Sequence, residues 1–380
     1  MSTYTFAVGP AVVSGPGSLS ALPEWAERLG ARRTLVVSDA ALARAGVADR
    51  VVASLPGSAL WGGVEGEPSI ELVESTLAQV RHHGADLVVA VGGGSAIDAA
   101  KLAAMLATHG GDLVDYADDW SRVTKPGLPL IVVPTTVGSG SEMTRGAVFK
   151  DPAQHSKLVI VSEYLAARAA VLDPTLLDTL PASVTAATGC DALTQAVEGV
   201  ISSAANAWTD ALHLQAIRLI RDSLAAAVAD SRNTEAMGTM QQAAAMVGAA
   251  LAYSGVGAAH AVANTLGGHY PIPHGLACAV MLRPVLRLNA PSTPERTAAI
   301  AQALGLDVGR PTNGAAASAV DEKLGLLLDE VGATWRLRDF GIGESDLGRL
   351  ASEAQAHSDM ATNPTQPSVD DVLVLLRQAW

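Results

Sequence analysis

Three short runs of consecutive apolar residues punctuate the first half of the chain: Thr34-Leu-Val-Val-Ser38, Asp86-Leu-Val-Val-Ala-Val91 and Leu130-Ile-Val-Val133. The first leads into a helical stretch, the second ends in Gly92-Gly-Gly94, and the third stops at Pro134-Thr135-Thr136. Strands that are apolar throughout, rather than at alternate positions, are buried on both faces. Separated by helical segments, they predict a parallel sheet covered by helices. Beyond Pro181 the rhythm changes to long Ala/Leu-rich segments with helical spacing, such as Trp208–Val228 and Thr234–Tyr253. The turn-rich Asn363-Pro-Thr-Gln-Pro367 precedes an expected last helix over Val369–Trp380. The pattern predicts an α/β domain over residues 1–181 and an all-α domain over residues 182–380, with no internal repeat and no low-complexity linker.

Composition narrows the class. The chain has 380 residues, enough for a large core in two domains, and 49% of them are apolar while only 4% are aromatic. An apolar fraction made mostly of Ala, Val and Leu fits many helices packed on a sheet. No apolar run is long enough to span a bilayer, and the first ten residues lack the basic start and long apolar stretch of a secretory signal. Cys190 and Cys278 are the only cysteines, so no disulfide framework is implied and a reducing compartment is expected. A formal net charge of −13 argues against a general nucleic-acid binder, which needs a basic surface. A soluble cytoplasmic enzyme is the expectation, and an anionic cofactor remains compatible with it, because backbone N–H groups at a helix start bind phosphate whatever the net charge.

Gly92-Gly-Gly-Ser-Ala-Ile-Asp-Ala-Ala-Lys101 supplies such a start. Glycines at a strand's carboxyl end let the backbone approach a pyrophosphate, and the following helix points N–H groups at it. An ordinary glycine-rich turn is the plainer alternative, and the segment does not match the GxGxxG fingerprint. Asp39, after the first strand, could accept bonds from ribose hydroxyls and repel a 2′-phosphate, favouring NAD(H) over NADP(H); an Asp at a helix start is also common in its own right. Pro134-Thr-Thr-Val-Gly-Ser-Gly-Ser-Glu142 is a second loop of small hydroxylated residues after a strand, equally readable as a turn with local hydrogen bonds. Two such loops in one half-chain favour a Rossmann-like dinucleotide-binding domain.

In the helical half, Gly189-Cys-Asp-Ala-Leu-Thr-Gln195 places Asp191 and Gln195 on one helix face, four residues apart. His260 and Asn264 repeat that spacing, Gly267-Gly268 is expected to end their helix, and the chain then turns through His269-Tyr-Pro-Ile-Pro273 to His274. Asp191, His260 and His274 make a carboxylate and two imidazoles, a set that suits a divalent transition ion with open coordination positions. Singly, each residue type is more often structural, so spacing alone is weak support.

Taken together, Gly92–Lys101, Pro134–Arg145, Leu172-Asp-Pro174 with Leu180-Pro181, Ala187–Thr194, His260–Gly275, and Asp359 ahead of Asn363-Pro364 resemble the iron-containing (group III) alcohol dehydrogenases over nearly the whole chain. That family belongs to the superfamily of glycerol dehydrogenase and dehydroquinate synthase. The resemblance implies a dinucleotide-binding α/β domain followed by a helical domain, an active site in the cleft between them, and a homodimer or larger homo-oligomer. It assigns Asp39 to the ribose, and Gly93, Gly94 and Ser95 to the pyrophosphate. Asp98, Thr135 and Thr136 become further cofactor contacts, and Asp191, His260 and His274 metal ligands for Fe2+ or Zn2+.

Two departures from the family pattern stand out: Gln195 and Asn264 occupy positions where the iron enzymes usually carry histidine. An amide oxygen is a harder, weaker ligand than imidazole, and Asn cannot exchange protons near neutral pH. The ion is therefore expected on Asp191, His260 and His274 with Gln195 or water as fourth ligand. The implied activity is NAD(P)-dependent interconversion of a small aldehyde or ketone with its alcohol, with Lewis-acid help from the metal. A metal-independent reductase of the maleylacetate-reductase type is the alternative. A dehydroquinate-synthase-like cyclase, which would need more Lys, and a non-catalytic NAD-binding protein are the remoter ones. Asn264 and Arg283 are candidate substrate contacts, Arg145 a candidate anion anchor and His269 a candidate proton donor; surface or structural roles compete for each of the last three.

Overall fold

The computed structural model of the protein describes residues 5–7, 9–151, 156–307 and 314–380. They form two compact units, one of Ala7–Leu180 with Ser231–Gly248, the other of Pro181–Asp230 and Ala249–Trp380, which Phe6 joins.

The first unit holds strands β1 (Ala11–Ser14), β2 (Thr34–Asp39), β3 (Ala59–Val64), β4 (Leu87–Gly92), β5 (Leu130–Pro134), β6 (Gly146–Asp151), β7 (Ser156–Val161) and β8 (Ala169–Leu172). Between them lie helices α1 (Leu22–Arg28), α2 (Ala40–Arg44), α3 (Val47–Ser54), α4 (Ile70–His83), α5 (Gly94–His109) and α6 (Leu113–Asp118). Six strands make a parallel sheet in the order β1-β8-β5-β4-β2-β3, with Val37 beside Ala90 and Ala90 beside Val132. The expected strands are its centre. β4 and β5 are buried at every residue, as unbroken apolar strands between two helical layers must be. The edge strand β3 carries Gly62-Gly63 and is mostly half-buried, and β8 is four residues of Ala, Val and Leu, so neither has a clear strand signature. β6 and β7 pair with each other as a separate antiparallel hairpin.

This strand order places a site. From β2 the chain crosses to β3 on one side, and from β4 to β5 on the other. β2 and β4 therefore flank a topological switch point, where open α/β sheets bind ligands beyond the strands' carboxyl ends. Asp39 ends β2 and Gly92 ends β4.

The second unit is helical: α7 (Ala182–Ile201), α8 (Ala207–Ala229), the end of α9 (Thr234–Ser254), α10 (Ala258–His269), α11 (His274–Asn289), α12 (Pro294–Ala303), α13 (Ala315–Glu330), α14 (Leu347–Gln355) and α15 (Val369–Ala379). One apolar cluster joins α10, α11, α14 and α15 through residues such as Val262, Met281, Leu350 and Leu376. α7 is buried on nearly all sides. Where it meets α11 the backbones touch so closely that a Cβ on Gly275 would lie 2.0 Å from the carbonyl oxygen of Ala187. α10 continues through Gly267-Gly268, contrary to the expected stop, and ends at His269. Glycine weakens a helix without forbidding it. The stop comes from Pro271, which holds Tyr270 in extended backbone. Among the described residues no single helix is both long and apolar enough to cross a membrane.

Candidate cofactor and metal sites

At the switch point, Asp39 caps α2: its Oδ1 accepts from the Leu42 amide at 2.8 Å. Its Oδ2 would lie 3.5 Å from a Cβ on Gly92, so the carboxylate flanks the glycine turn. Gly92 has φ +154°, open to glycine at little strain. Gly93 is the N-cap of the 16-residue α5 and offers no side-chain cap, which leaves the first-turn N–H groups of this helix to an incoming acceptor. The second loop packs on the first. Added Cβ atoms on Gly93 and Gly94 would stand 3.0 Å from Thr136 Cγ2 and 3.0 Å from Ser139 Oγ, so a side chain at either position would press on the second loop. The buried Thr135 ties the loops through its amide to the Gly92 carbonyl at 3.0 Å. Ser95 is half-buried in the first turn of α5. The turn thus fits a pyrophosphate through uncapped amides with no side chains in the way, while the carboxylate alongside suits a ribose hydroxyl.

Asp98, one turn further, has both oxygens engaged within the protein: Oδ1 accepts from Ser141 Oγ at 2.5 Å and Oδ2 from the Val148 amide at 3.0 Å. Burial pushes this carboxyl up, with Lys101 opposing. Lys101 is itself 1% exposed, and its Nζ donates to Ser141 O, Thr144 Oγ1 and Gly146 O, each at 2.8 Å. Burial brings Lys101 down to about 8 and takes the neighbouring Glu142 up to about 7. The pair Asp98 and Lys101 pins the second loop to α5.

In the helical unit, α7, α10 and α11 bring Asp191, His260 and His274 together, and Cys278 with them: one ligand atom from each lies within 4.8 Å of all the others. Asp191 Oδ1 is 3.5 Å from His260 Nε2 and 3.8 Å from His274 Nε2. Asp191 and His260 are 6% and 5% exposed, and both Asp191 Oδ1 and His260 Nε2 are buried without a hydrogen-bond partner. Such orphaned atoms are costly unless something bridges them. Burial alone would raise the Asp191 carboxyl, but the imidazoles of His260 and His274 facing it bring it below its ordinary range. Burial likewise pushes the Cys278 thiol up, and the same two imidazoles reverse the shift. A carboxylate, two imidazoles and a sulfur with unmet lone pairs fit a divalent transition ion.

The cluster is held from behind. Glu198, two turns along α7 from Asp191, accepts from Nδ1 of His260 at 2.6 Å and from the Ala259 amide at 2.7 Å. Asn363 Oδ1 accepts the Ala258 amide at 3.1 Å, so side chains from distant segments cap α10 where its own N-cap, Gly257, has none. Cys278 and Glu198 are the residues that sequence reasoning passed over. The available signals were the His-x-x-x-Cys spacing of one helical turn on α11 and the continuation of Asp191 and Gln195 to Glu198 along α7.

The other candidates are distributed differently. Gln195 is 4% exposed with Oε1 unpartnered, and its amide helps to lower Asp191. Asn264 donates to Asp359 Oδ2 at 2.9 Å. His269 lies at the far end of α10 in an exposed ion pair with Glu353, 2.5 Å away, and Arg349. Arg283 forks onto Asp321 at 3.0 and 2.8 Å, the salt bridge that competes with substrate anchoring. Neither His269 nor Arg283 joins the cluster. Arg145 sits half-buried just before β6.

Comparison with known proteins supplies independent findings. Residues 10–174 match the family described as iron-containing alcohol dehydrogenase, and residues 185–380 match the C-terminal domain of the same family. A 1,3-propanediol dehydrogenase of Klebsiella pneumoniae is 38% identical over 373 residues, 96% of either chain. Lactaldehyde reductase of Escherichia coli K12 is 33% identical over 96% of this chain and 97% of its own. A crystal structure of 1,3-propanediol oxidoreductase superposes with a TM-score of 0.96 at 36% identity, over 100% of each chain.

Proposed function

The chain belongs to the iron-containing alcohol dehydrogenase family and is an oxidoreductase of aldehydes and alcohols; from that premise we propose that it works with NAD(H) and a divalent ion held by Asp191, His260 and His274. One observation carries the metal half of this reading: two buried ligand atoms, Asp191 Oδ1 and His260 Nε2, face each other at 3.5 Å with no hydrogen-bond partner. When bound, the nicotinamide exchanges hydride with the carbonyl carbon, and the ion, Fe2+ or Zn2+, polarises the carbonyl oxygen.

The chain's own residues bind and orient. Asp39 takes the adenosine ribose hydroxyls and disfavours a 2′-phosphate, while the amides of Gly93, Gly94 and Ser95 take the pyrophosphate. Thr135 and Thr136 line the cofactor from the second loop, which Asp98 and Lys101 hold in place. Glu198 fixes the His260 tautomer, and Gln195 adds an amide oxygen beside Asp191. Asn264 shares the His260 face of α10, one turn on, and suits a substrate hydroxyl. Small aldehydes carrying a hydroxyl group, the chemistry in the names of the two relatives, are the favoured substrates. A homo-oligomer in the cytoplasm completes the reading, with light scattering as the check on assembly.

The test is anaerobic purification with metal analysis, followed by NADH oxidation on a panel of aldehydes and ketones before and after chelation. About one ion per chain, with activity lost on chelation and restored by metal, is the expected result. Full turnover in metal-free protein would overturn the Lewis-acid reading and favour the metal-independent reductase, which the amide at position 195 makes the natural second reading.

A further inference from the structure

Four possible ligand side chains meet at this site, one more than family resemblance assigns. The geometry points to Cys278 as the fourth metal ligand, its thiolate taking the place left by the missing imidazole at position 195 and making the site one for a thiolate-binding ion such as zinc. The inference rests on the proposed metal site and concerns which side chains complete it.

Distances carry the case. In a tetrahedral site with bonds of about 2.0–2.1 Å to nitrogen or oxygen and about 2.3 Å to sulfur, neighbouring ligand atoms stand roughly 3.3 Å apart for N and O and roughly 3.6 Å for N and S. Here Asp191 Oδ1 to His260 Nε2 is 3.5 Å, Asp191 Oδ1 to His274 Nε2 is 3.8 Å, and Cys278 Sγ to His274 Nε2 is 3.6 Å. No pair in the group of four exceeds 4.8 Å, so small side-chain rotations close the remaining gap.

Cys278 and His274 sit one turn apart on α11, on the same face, so one rigid helix presents both. Cys278 is fully buried among these groups, and two of the others, Asp191 and His260, are more than nine-tenths buried with their facing atoms unpartnered. The second cysteine does not compete: Cys190 offers no atom to the group although it adjoins Asp191 in sequence.

The chemistry agrees with the geometry. Thiolate and carboxylate together balance the charge of a dication, whereas Gln195 brings a neutral, hard oxygen. Sulfur ligands favour zinc and disfavour the all-N/O coordination that suits iron(II). Zinc also accepts a fifth ligand, so four protein ligands do not close the site to an oxygen substrate.

The experiment is cobalt substitution of the full-length protein under anaerobic conditions, read by electronic absorption. Co2+ bound to the wild type should show a sulfur-to-cobalt charge-transfer band in the near ultraviolet. The band should vanish in Cys278→Ala and Cys278→Ser and persist in Cys190→Ala. Zinc affinity, measured by chelator competition, should fall in Cys278→Ala by more than the roughly 10- to 100-fold that loss of an outer-shell partner costs. Stoichiometric cobalt without a sulfur band, or a band that survives Cys278→Ala, overturns the proposal and leaves the metal site itself intact. Failure to bind any cobalt or zinc overturns both.

Discussion

His260 donates from Nδ1 to Glu198 Oε2 at 2.6 Å, which orients the ring so that Nε2 is the atom facing Asp191. A carboxylate can only accept, so the proton belongs to Nδ1, and Nε2 is left to a metal. Glu198 accepts the Ala259 amide with its other oxygen.

Glu198→Gln separates these two duties. An amide has one oxygen, so either the Ala259 N–H or the His260 Nδ1–H loses its acceptor. Metal affinity should drop about 10- to 100-fold, read by chelator competition, while the fold survives. Unchanged affinity would show that Glu198 only caps α10.

Gly275→Ala should damage the same site from the backbone. Its Cβ would lie 2.0 Å from Ala187 O and 3.2 Å from Asp191 Cβ, so α7 and α11 must part. Overpacking of this kind costs about 1–3 kcal/mol. A lower Tm accompanied by lower metal occupancy is the expected pair of results in calorimetry and metal analysis.

Asp39→Ser keeps an N-cap for α2 and removes the charge beside the glycine turn. The ratio of kcat/KM with NADH to that with NADPH should move toward NADPH by about tenfold or more, corresponding to at least ~1.4 kcal/mol. A ratio that does not move would take Asp39 out of ribose recognition.

Lys101→Met leaves the carbonyls of Ser141, Thr144 and Gly146 without the ammonium that now bonds all three. Stability should fall by about 3–5 kcal/mol, as when a buried charge loses its partner. Because the freed loop packs on Gly93 and Gly94, NADH binding measured by fluorescence should weaken as well. Lost stability with unchanged NADH affinity would confine Lys101 to the fold.

His213 is expected to contribute to acid sensitivity. It is buried against α7, so close that a Cβ on Gly199 would be 2.2 Å from its Nε2, which bonds Ser254 Oγ at 2.9 Å. Burial lowers it from 6.5 to about 3. Between those values the folded state binds fewer protons than the unfolded one. Stability that is fully present above pH 6.5 is therefore lost as pH falls toward 3, by as much as about 5 kcal/mol. His213→Gln, which cannot titrate, should flatten denaturant midpoints across that window; an unchanged slope would place the acid lability elsewhere.

The chain's own patterns determined the centre of this protein. Apolar runs within residues 34–38, 86–91 and 130–133 mark buried strands, and the change to helical spacing after Pro181 marks the helical half. The glycine turn after β4 is equally local, since uncapped amides at a helix start follow from residue types alone. Asp191, His260 and His274 were legible as candidates through family resemblance, because each residue type by itself is more often structural. The edge strand β3, the inner strand β8 and the hairpin were not: β3 and β8 owe their pairing to neighbours distant in sequence, with little strand propensity of their own. The strand order that sets Asp39 beside Gly92 is likewise a property of chain crossovers. Cys278 reads in sequence as a small apolar residue on a buried helix, and Glu198 as one more acid on α7. Only the crossing of α7, α10 and α11 turns the first toward Asp191 and the second toward His260, because contact between segments far apart in the chain depends on how whole helices pack and leaves no local period to read.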